Sequence, residues 1–177
     1  MTTRLNAVAI IAVAIVSLTS ITSVFALGGF RINLTRSYPL GLWRIEPLNR
    51  DVTIGDRVFI CLPLGAAATL ALERHYLPRG LCPSRSGPLI KTVVAVAGQQ
   101  VEIDDEVIID GKLLPSSRIL HADAEGRSMP VFCGGKVDAG AVFLHSDFEG
   151  SYDSRYFGPI PTSGVLGLAR EIITFSG

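Results

Sequence analysis

The nine residues 35–43 read Thr-Arg-Ser-Tyr-Pro-Leu-Gly-Leu-Trp, and the rest of the chain is interpreted outward from them. Pro39 fixes its own φ at about −65° and favours an extended conformation at Tyr38. Gly41 permits a turn or a close backbone approach that a side chain would block. A serine on such a stiffened backbone suits a nucleophile that meets an extended substrate, so Ser37 is the candidate. The alternative is a loop that merely leaves a membrane.

An uncharged segment precedes this stretch. No charged side chain lies between Arg4 and Arg31. Residues 6–30 are long enough for a membrane-spanning helix, which needs about 20 apolar residues. We predict a retained membrane anchor over residues 1–30 and a single domain over residues 31–177.

Cleavage of this segment is the alternative interpretation. Residues 5–16 resemble the apolar region of a signal peptide, and residues 24–26, Val-Phe-Ala, could form a small-residue cleavage site. The uncharged run is longer than a usual signal-peptide apolar region, which favours the anchor. Basic residues flank the segment on both sides, so its orientation in the membrane stays open.

The charge composition excludes one class of function. The 177 residues carry 16 basic and 16 acidic side chains, giving a formal net charge of zero. A general nucleic-acid-binding protein normally shows a basic excess or stripe. We therefore expect no nucleic-acid partner.

Three cysteines allow at most one internal disulfide. No Cys-x-x-Cys motif occurs, which argues against a zinc ribbon or a thioredoxin-type site. Cys61 lies in the apolar run 57–62 and is interpreted as a buried hydrophobic residue. Cys82 and Cys133 lie in Gly/Pro-rich stretches, so they are the predicted pair in an oxidising compartment.

Short β-rich runs dominate the domain. Residues 65–77 are compatible with one short helix, which Pro78 would end. Asp110-Gly111 is a strong hairpin signal. This pattern predicts a mostly β domain, a folded-over sheet or partial barrel. Strands are predicted over residues 56–62, 89–97, 101–103, 107–109, 141–145 and 165–175.

The activating base for Ser37 is not evident from local motifs. A serine hydroxyl is a poor nucleophile until a base takes its proton, and that base is usually histidine. His75, His121 and His145 have no local signature that ties them to Ser37, and each is interpreted as a surface or strand-end residue. His-Glu-x-x-His, Gly-x-Ser-x-Gly and Ser-x-x-Lys motifs are absent. We predict neither a metal nor a cofactor.

A lysine is the remaining candidate base. Lys112 follows the Asp-Gly turn and Lys136 follows two glycines, so both are expected to be solvated. Lys91 lies in an apolar β-rich run, where burial would lower the pKa of its amine. A neutral Lys91 near Ser37 could act as a general base. A strand-edge lysine with its amine in water fits the run equally well.

Three motifs in order resemble the type I signal peptidases. They are Ser-Tyr-Pro-Leu-Gly around Ser37, Lys91 followed by an apolar run and Gly98, and residues 151–159, Ser-Tyr-Asp-Ser-Arg-Tyr-Phe-Gly-Pro. The Ser-x-Pro-x-Gly form of the first is similar to the conjugative-transfer branch, the TraF-type pilin-processing peptidases. The resemblance implies a signal-peptidase-like fold with one short helix, preceded by an N-terminal transmembrane helix.

The resemblance also implies roles for site residues. Ser37 would be the nucleophile and Lys91 the general base. The Ser37 backbone N–H and the Thr35 hydroxyl would donate to the oxyanion, a contact worth about 10²–10³ in rate per donor in other hydrolases.

The last motif carries the supporting residues that the resemblance implies. Ser151 matches the serine that orients the lysine amine. Asp153 and Arg155 match a charged pair that supports the site. Without the resemblance, this stretch would be a β-turn with a surface Asp–Arg pair, which contributes little to stability.

The chain departs from the ordinary secretory enzymes of that family at several positions. Tyr38 stands where they have methionine, and Thr92 where they usually have arginine after the lysine. Residues 97–99 replace a Pro-Gly-Asp turn. Residues 145–148, His-Ser-Asp-Phe, replace a Gly-Asp-Asn-Arg run. These differences argue against general secretory processing.

The function implied is a membrane-anchored Ser/Lys endopeptidase of conjugative transfer. Its domain would lie in the periplasm, attached to the bacterial inner membrane, and would cut a propilin after small residues. Its partners would be the propilin, the inner membrane and other conjugation proteins. The residues do not distinguish hydrolysis from head-to-tail joining of the pilin. Two alternatives remain: a non-catalytic docking protein of the conjugation apparatus, and a general type I signal peptidase.

Overall fold

The computed structural model describes the backbone of residues 2–175, with side chains outside the description at residues 2–5, 21 and 26. The predicted limits at residues 1 and 177 lie outside the described residues. The helices are α1 (Thr2–Leu27), α2 (Ala66–Glu73) and α3 (Ser154–Phe157), and a 3-10 turn covers Thr162–Gly164. The strands are β1 (Phe30–Asn33), β2 (Leu40–Glu46), β3 (Arg57–Ile60), β4 (Leu89–Val96), β5 (Gln100–Ile103), β6 (Val107–Ile109), β7 (Lys112–Leu113), β8 (Gly135–Lys136), β9 (Ala141–His145), β10 (Ile160–Pro161) and β11 (Val165–Phe175).

Helix α1 is long and apolar enough to cross a membrane. Its 20-residue window Asn6–Phe25 has a mean hydropathy of 2.4 and is not buried against the rest of the protein. The Thr19 hydroxyl donates to the Ile15 carbonyl at 2.9 Å, so this polar side chain is satisfied within the helix. Length and composition are compatible with the predicted anchor and with a signal sequence.

The strand pairs of residues 2–175 are all antiparallel, and they form two sheets. The larger sheet has the order β1-β2-β11-β3-β4-β9-β10, and the smaller has the order β7-β6-β5-β8. The predicted mostly β architecture is confirmed. The six predicted strands correspond to β3, β4, β5, β6, β9 and β11, and those over residues 107–109, 141–145 and 165–175 have the predicted limits.

Strands β1 and β2 flank the Ser37 stretch and were not predicted. They pair with each other, and β2 also pairs with β11 from the end of the chain. Gly41 lies in β2 with φ 137°, and a Cβ placed there would meet the Ile173 carbonyl oxygen at 2.2 Å. The close backbone approach predicted at Gly41 is therefore confirmed.

Helix α2 is shorter than predicted. It ends at Glu73 and not at Leu77, because the backbone turns at His75, which has a positive φ of 58°. This turn buries Leu77 in the core and places the Tyr76 hydroxyl on the Asp123 carboxylate. Contacts with a loop about 50 residues later thus override helix propensity. A second helix, the single turn α3, was also not predicted.

Strand β4 lies at the centre of the core. It pairs with β3 on one side and with β9 on the other. Its Val93 belongs to one apolar cluster with Val58 and Leu144, whereas its Ala95 belongs to a second cluster with Phe143. Any polar side chain that β4 carries inward is therefore surrounded by packed apolar groups.

The predicted Cys82–Cys133 disulfide is wrong. Cys61 and Cys82 form the disulfide, with their Cα atoms 5.5 Å apart, and Cys133 is a free, exposed thiol. The loop that carries Cys82 folds back through the Arg79–Ser86 bridge, which brings it beside the end of β3. Both bonded cysteines are buried, so the predicted burial of Cys61 holds although its thiol is not free.

Removal of this disulfide should destabilise the domain. The bond closes a loop with a sequence separation of 21 residues. Cys61→Ala/Cys82→Ala should lower the free energy of unfolding by about 3 kcal/mol, because the cross-link no longer restricts the unfolded chain. Denaturant titration of the full chain in detergent measures this change, with Cys133→Ser as the control that leaves it unaltered. A Cys82–Cys133 peptide in unreduced digests would contradict the assignment.

Candidate active site

The loop between β1 and β2 carries Ser37. Asn33, the last residue of β1, is 8% exposed. Its side-chain amide nitrogen donates to the backbone carbonyls of Thr35, Tyr38 and Pro39 at 3.0, 3.0 and 3.1 Å. One buried side chain thus closes the loop on both sides of Ser37. Sequence reasoning missed Asn33, since nothing in the local sequence distinguishes it from a surface asparagine.

Thr35 also bonds to Asn33. The Thr35 hydroxyl lies 2.7 Å from the Asn33 side-chain oxygen, which can only accept, so Thr35 donates. In this arrangement its proton is not available to an oxyanion beside Ser37. The oxyanion role of Thr35 stays a prediction, and it requires this hydrogen bond to open.

Lys91 lies in the middle of β4 and is 2% exposed. Its Nζ donates to the Ser151 hydroxyl at 2.6 Å. Burial lowers the pKa of Lys91 to about 8, because the ammonium loses its hydration; the Asp153 charge opposes this change and the Arg155 charge adds to it. Of the two interpretations of the sequence, a solvated strand-edge lysine and a buried amine, the structure has the buried amine.

Ser151 connects the other two candidates. Its side chain is buried, and its Oγ lies 2.6 Å from Lys91 Nζ and 3.5 Å from Ser37 Oγ. Within residues 2–175, no direct hydrogen bond joins Ser37 to Lys91. The structure therefore brings Ser37, Ser151 and Lys91 together through the Ser151 hydroxyl.

Asp153 and Arg155 form a buried ion pair, not a surface one. Both side chains are 0% exposed, and Arg155 Nε lies 2.8 Å from Asp153 Oδ1. The guanidinium also donates to the Ser151 carbonyl at 3.1 Å and to the Arg118 carbonyl at 2.7 Å. Asp153 in turn caps α3 by accepting from the Arg155 backbone N–H. The pair thus fixes the backbone that carries Ser151.

Breaking this pair should destabilise the protein strongly. Arg155→Met should lower the free energy of unfolding by about 3–5 kcal/mol, because it leaves the Asp153 carboxylate buried without a partner. Denaturant titration measures the loss, with Glu149→Gln as the control. Glu149 pairs with Arg118 at the surface, so its loss should cost less than about 1 kcal/mol. Equal effects of the two variants would contradict the structural role.

A cleft opens beside these residues. It has a volume of about 660 Å³, and Ser37, Lys91 and Ser151 lie in its wall. Most of the remaining wall is apolar, which keeps water away from a reacting amine. The apolar part includes Phe59, Leu77, Leu89, Leu120, Met129 and Tyr152.

The histidines and the other lysines lie elsewhere. His75, His121, Lys112 and Lys136 are exposed. The ring of His145 is buried, contacts the Ser116 carbonyl at 3.2 Å, and has a pKa lowered mainly by burial. Over the described part of the chain, no histidine bonds to Ser37. In that same part, no group of three His, Cys, Asp or Glu side chains could hold a metal ion.

A family profile described as "Signal peptidase, peptidase S26" matches residues 3–174. The match covers nearly the whole chain and defines a peptidase of the serine type. The chain belongs to the signal peptidase family, peptidase S26. The family predicted from the three motifs is confirmed.

Several relatives have conjugation names. Probable conjugal transfer protein TraF of Sinorhizobium fredii is 56% identical over 149 residues, 84% of this chain and 79% of that protein. Conjugal transfer protein TraF of Agrobacterium tumefaciens is 52% identical over 162 residues, 92% of each chain. Plasmid transfer protein TraF of Escherichia coli is 36% identical over 154 residues, 84% of this chain and 85% of that protein. The resemblance to the TraF-type branch is confirmed.

One solved structure is a distant match. A signal peptidase I of Enterococcus faecalis aligns with a TM-score of 0.40 and 20% identity, over 67% of this chain and 97% of that chain.

Proposed function

We propose that the chain is a membrane-anchored serine endopeptidase of conjugative transfer that processes a propilin through an acyl-enzyme on Ser37. The observation that carries the proposal is the buried Lys91 amine, held 2.6 Å from Ser151 Oγ, which itself lies 3.5 Å from Ser37 Oγ. A neutral amine in this place is a general base without any histidine.

The chemistry has two halves. In the first, Lys91 Nζ takes the Ser37 proton while Ser37 Oγ bonds to the scissile carbonyl carbon. The carbon–nitrogen bond then breaks, and Lys91 gives the proton to the leaving amine. In the second half, water or the amino terminus of the pilin gives a proton to Lys91 Nζ as it bonds to the ester carbonyl carbon. The bond between that carbon and Ser37 Oγ then breaks, and Lys91 returns the proton to Ser37 Oγ. Hydrolysis and cyclisation differ only in that second nucleophile.

The 3.5 Å contact between Ser37 and Ser151 is compatible with this chemistry. Catalytic hydrogen bonds are often long without substrate and shorten when it binds. Ser151 would orient the amine, and Asp153 and Arg155 would hold Ser151 through its backbone carbonyl. Apolar walls around Lys91 favour the neutral amine over the ammonium.

A membrane anchor at α1 would place this chemistry beside a membrane. Only residues 28 and 29 separate α1 from β1, and Ser37 follows four residues after β1 ends. The Cys61–Cys82 disulfide suits an oxidising compartment. Both features support a domain in the periplasm at the inner membrane, which is where a pilin precursor would be cut.

The relatives and the cleft support a pilin precursor as the substrate. Three relatives are named as conjugal or plasmid transfer proteins, and their identity extends over most of this chain. We infer a pilin precursor that binds in extended form along the cleft, with small residues before the cut bond. Other conjugation proteins would be further partners.

A precursor panel tests the proposal. The full chain in detergent is incubated with a conjugative propilin and with several unrelated exported precursors, and products are identified by mass spectrometry. We expect one cut in the propilin and none in the others. Cutting of the whole panel would indicate a general signal peptidase. Absence of any cut, while the chain is folded, would overturn the peptidase proposal for this substrate class.

A further inference from the structure

We propose that Tyr38, Thr92 and Ser146 are positioning residues that hold the backbone of Ser37 against the Lys91 strand. We call these three side chains the Ser37 latch. Their role in catalysis rests on the proposed function, whereas their effect on the Ser37 loop can be measured without any substrate.

The first contact of the latch reaches the nucleophile directly. Ser146 Oγ donates to the backbone carbonyl of Ser37 at 2.7 Å, and Ser146 is 1% exposed. Ser146 follows the last residue of β9, His145, which pairs with Thr92 of β4. The Ser146 hydroxyl therefore lies at the end of a strand that pairs with the Lys91 strand. Its hydrogen bond fixes the Ser37 carbonyl relative to that sheet.

The second contact holds the next residue of the loop. The Tyr38 hydroxyl lies 2.7 Å from Thr92 Oγ1 and 3.3 Å from the His145 carbonyl oxygen. Thr92 directly follows Lys91 in β4. Two adjacent loop residues are thus held. Ser37 bonds to Ser146 at the end of β9, and Tyr38 bonds to Thr92, the residue after the proposed base.

The Tyr38 ring has its own support. It meets the Trp43 ring edge-on with centroids 6.1 Å apart, and the Arg57 guanidinium lies 4.9 Å from its centroid. Trp43 is completely buried. Tyr38→Phe would keep these ring contacts and remove only the hydroxyl, so the hydrogen bonds can be tested separately from packing.

Positioning matters because the Ser37 side chain has little else to hold it. Its one hydrogen bond in the described residues is the 3.5 Å contact with Ser151. Asn33 closes the loop on itself but does not tie it to β4 or β9. A displacement of about 1 Å can cost about 10²-fold in rate. The latch supplies the connection between the loop and the base strand.

Kinetics of hydroxyl-deletion variants form the first test. Ser146→Ala, Tyr38→Phe and Thr92→Val should each lower kcat on propilin about 10- to 10²-fold, with KM nearly unchanged. Tyr38→Phe/Thr92→Val should lose no more than Tyr38→Phe alone, because both changes delete the same Tyr38–Thr92 hydrogen bond and only Tyr38→Phe also deletes the contact with the His145 carbonyl. Ser146→Thr keeps the hydroxyl and should recover most of the rate. Additive losses, or losses in KM alone, would overturn the proposal.

The matched control is Ser117→Ala. The Ser117 hydroxyl is also buried and also donates to a carbonyl, that of Leu114 at 2.6 Å, but its other bond is to the smaller sheet, where it accepts from the Val107 backbone N–H of β6 at 2.9 Å. We expect this variant to keep the wild-type kcat. A loss equal to that of Ser146→Ala would show that any buried hydroxyl has the same effect, which would refute a special role for the latch.

Hydrogen exchange of the substrate-free full chain in detergent separates the two proposals. Peptides that cover residues 34–42 should exchange faster in Ser146→Ala and Tyr38→Phe, and at the wild-type rate in Ser117→Ala. Unchanged exchange in both latch variants would overturn the latch. If wild-type chain cuts no propilin but exchange changes as expected, the proposed function fails and the latch stands.

Discussion

Lys91→Met is expected to lower kcat/KM on propilin by about 10²–10⁴-fold, the usual contribution of a general base. Methionine keeps most of the length and fills the buried site, but it has no lone pair that accepts the Ser37 proton. The same variant should be more stable than wild type at neutral pH, because a buried amine that is charged below its pKa of about 8 is replaced by an apolar group. Steady-state kinetics and denaturant titration measure the two effects.

Two further lysine variants serve as controls. Lys91→Arg should be as inactive as Lys91→Met, since a guanidinium stays protonated and cannot act as a base. Lys112→Met changes an exposed lysine of β7 and should leave kcat/KM within about twofold of wild type, as expected for a surface substitution. Substantial activity in Lys91→Arg would exclude Lys91 as the base.

Ser37→Ala is expected to abolish propilin cutting. Loss of the nucleophile costs on the order of 10⁶-fold in a well-studied serine peptidase. The variant should remain folded, because within residues 2–175 the Ser37 side chain makes one hydrogen bond, the 3.5 Å contact with Ser151. Cleavage followed by mass spectrometry, together with hydrogen exchange, checks both expectations.

The opposite result has a definite meaning. If Ser37→Ala cuts the propilin at the wild-type rate, another group is the nucleophile and the acyl-enzyme proposal fails. If neither wild type nor Ser37→Ala cuts, while both bind the precursor, the chain is a docking protein of the conjugation apparatus.

Local pattern predicts strands where apolar residues are dense. Residues 107–109 and 141–145 are examples, and both have the predicted limits. β2 was missed because, besides the nearby β1, it pairs over its whole length with β11, with Glu46 opposite Leu168, more than 100 residues along the chain. Helix α2 was predicted too long because the turn at His75 is set by a distant loop. Non-local contacts of this kind leave no periodicity in the sequence.

The site residues could be identified from motifs, but their environment could not. From the sequence, the Lys91 amine could lie either in water or in the core. It lies in the core because β4 pairs with a strand on each side. From the sequence, Tyr38 and Thr92 could be identified only as differences from the secretory enzymes of the family. In the structure, their two side chains bond to each other. The disulfide partner of Cys82 was missed because it depends on how the loop closed by the Arg79–Ser86 bridge folds back.

A direct titration of the lysine amines tests the central claim, that burial lowers the pKa of Lys91 so that its neutral amine is available as the base. The chain has three lysines, so selective ¹³Cε-lysine labelling gives three NMR signals, and Lys91 is assigned by its absence in Lys91→Met. A lowered pKa means that the amine is charged well below pH 8 and neutral well above it, so activity should rise with pH through this range. We predict a midpoint of about 8 for Lys91 in the full chain. A midpoint at the ordinary lysine value of about 10.4 would contradict the account.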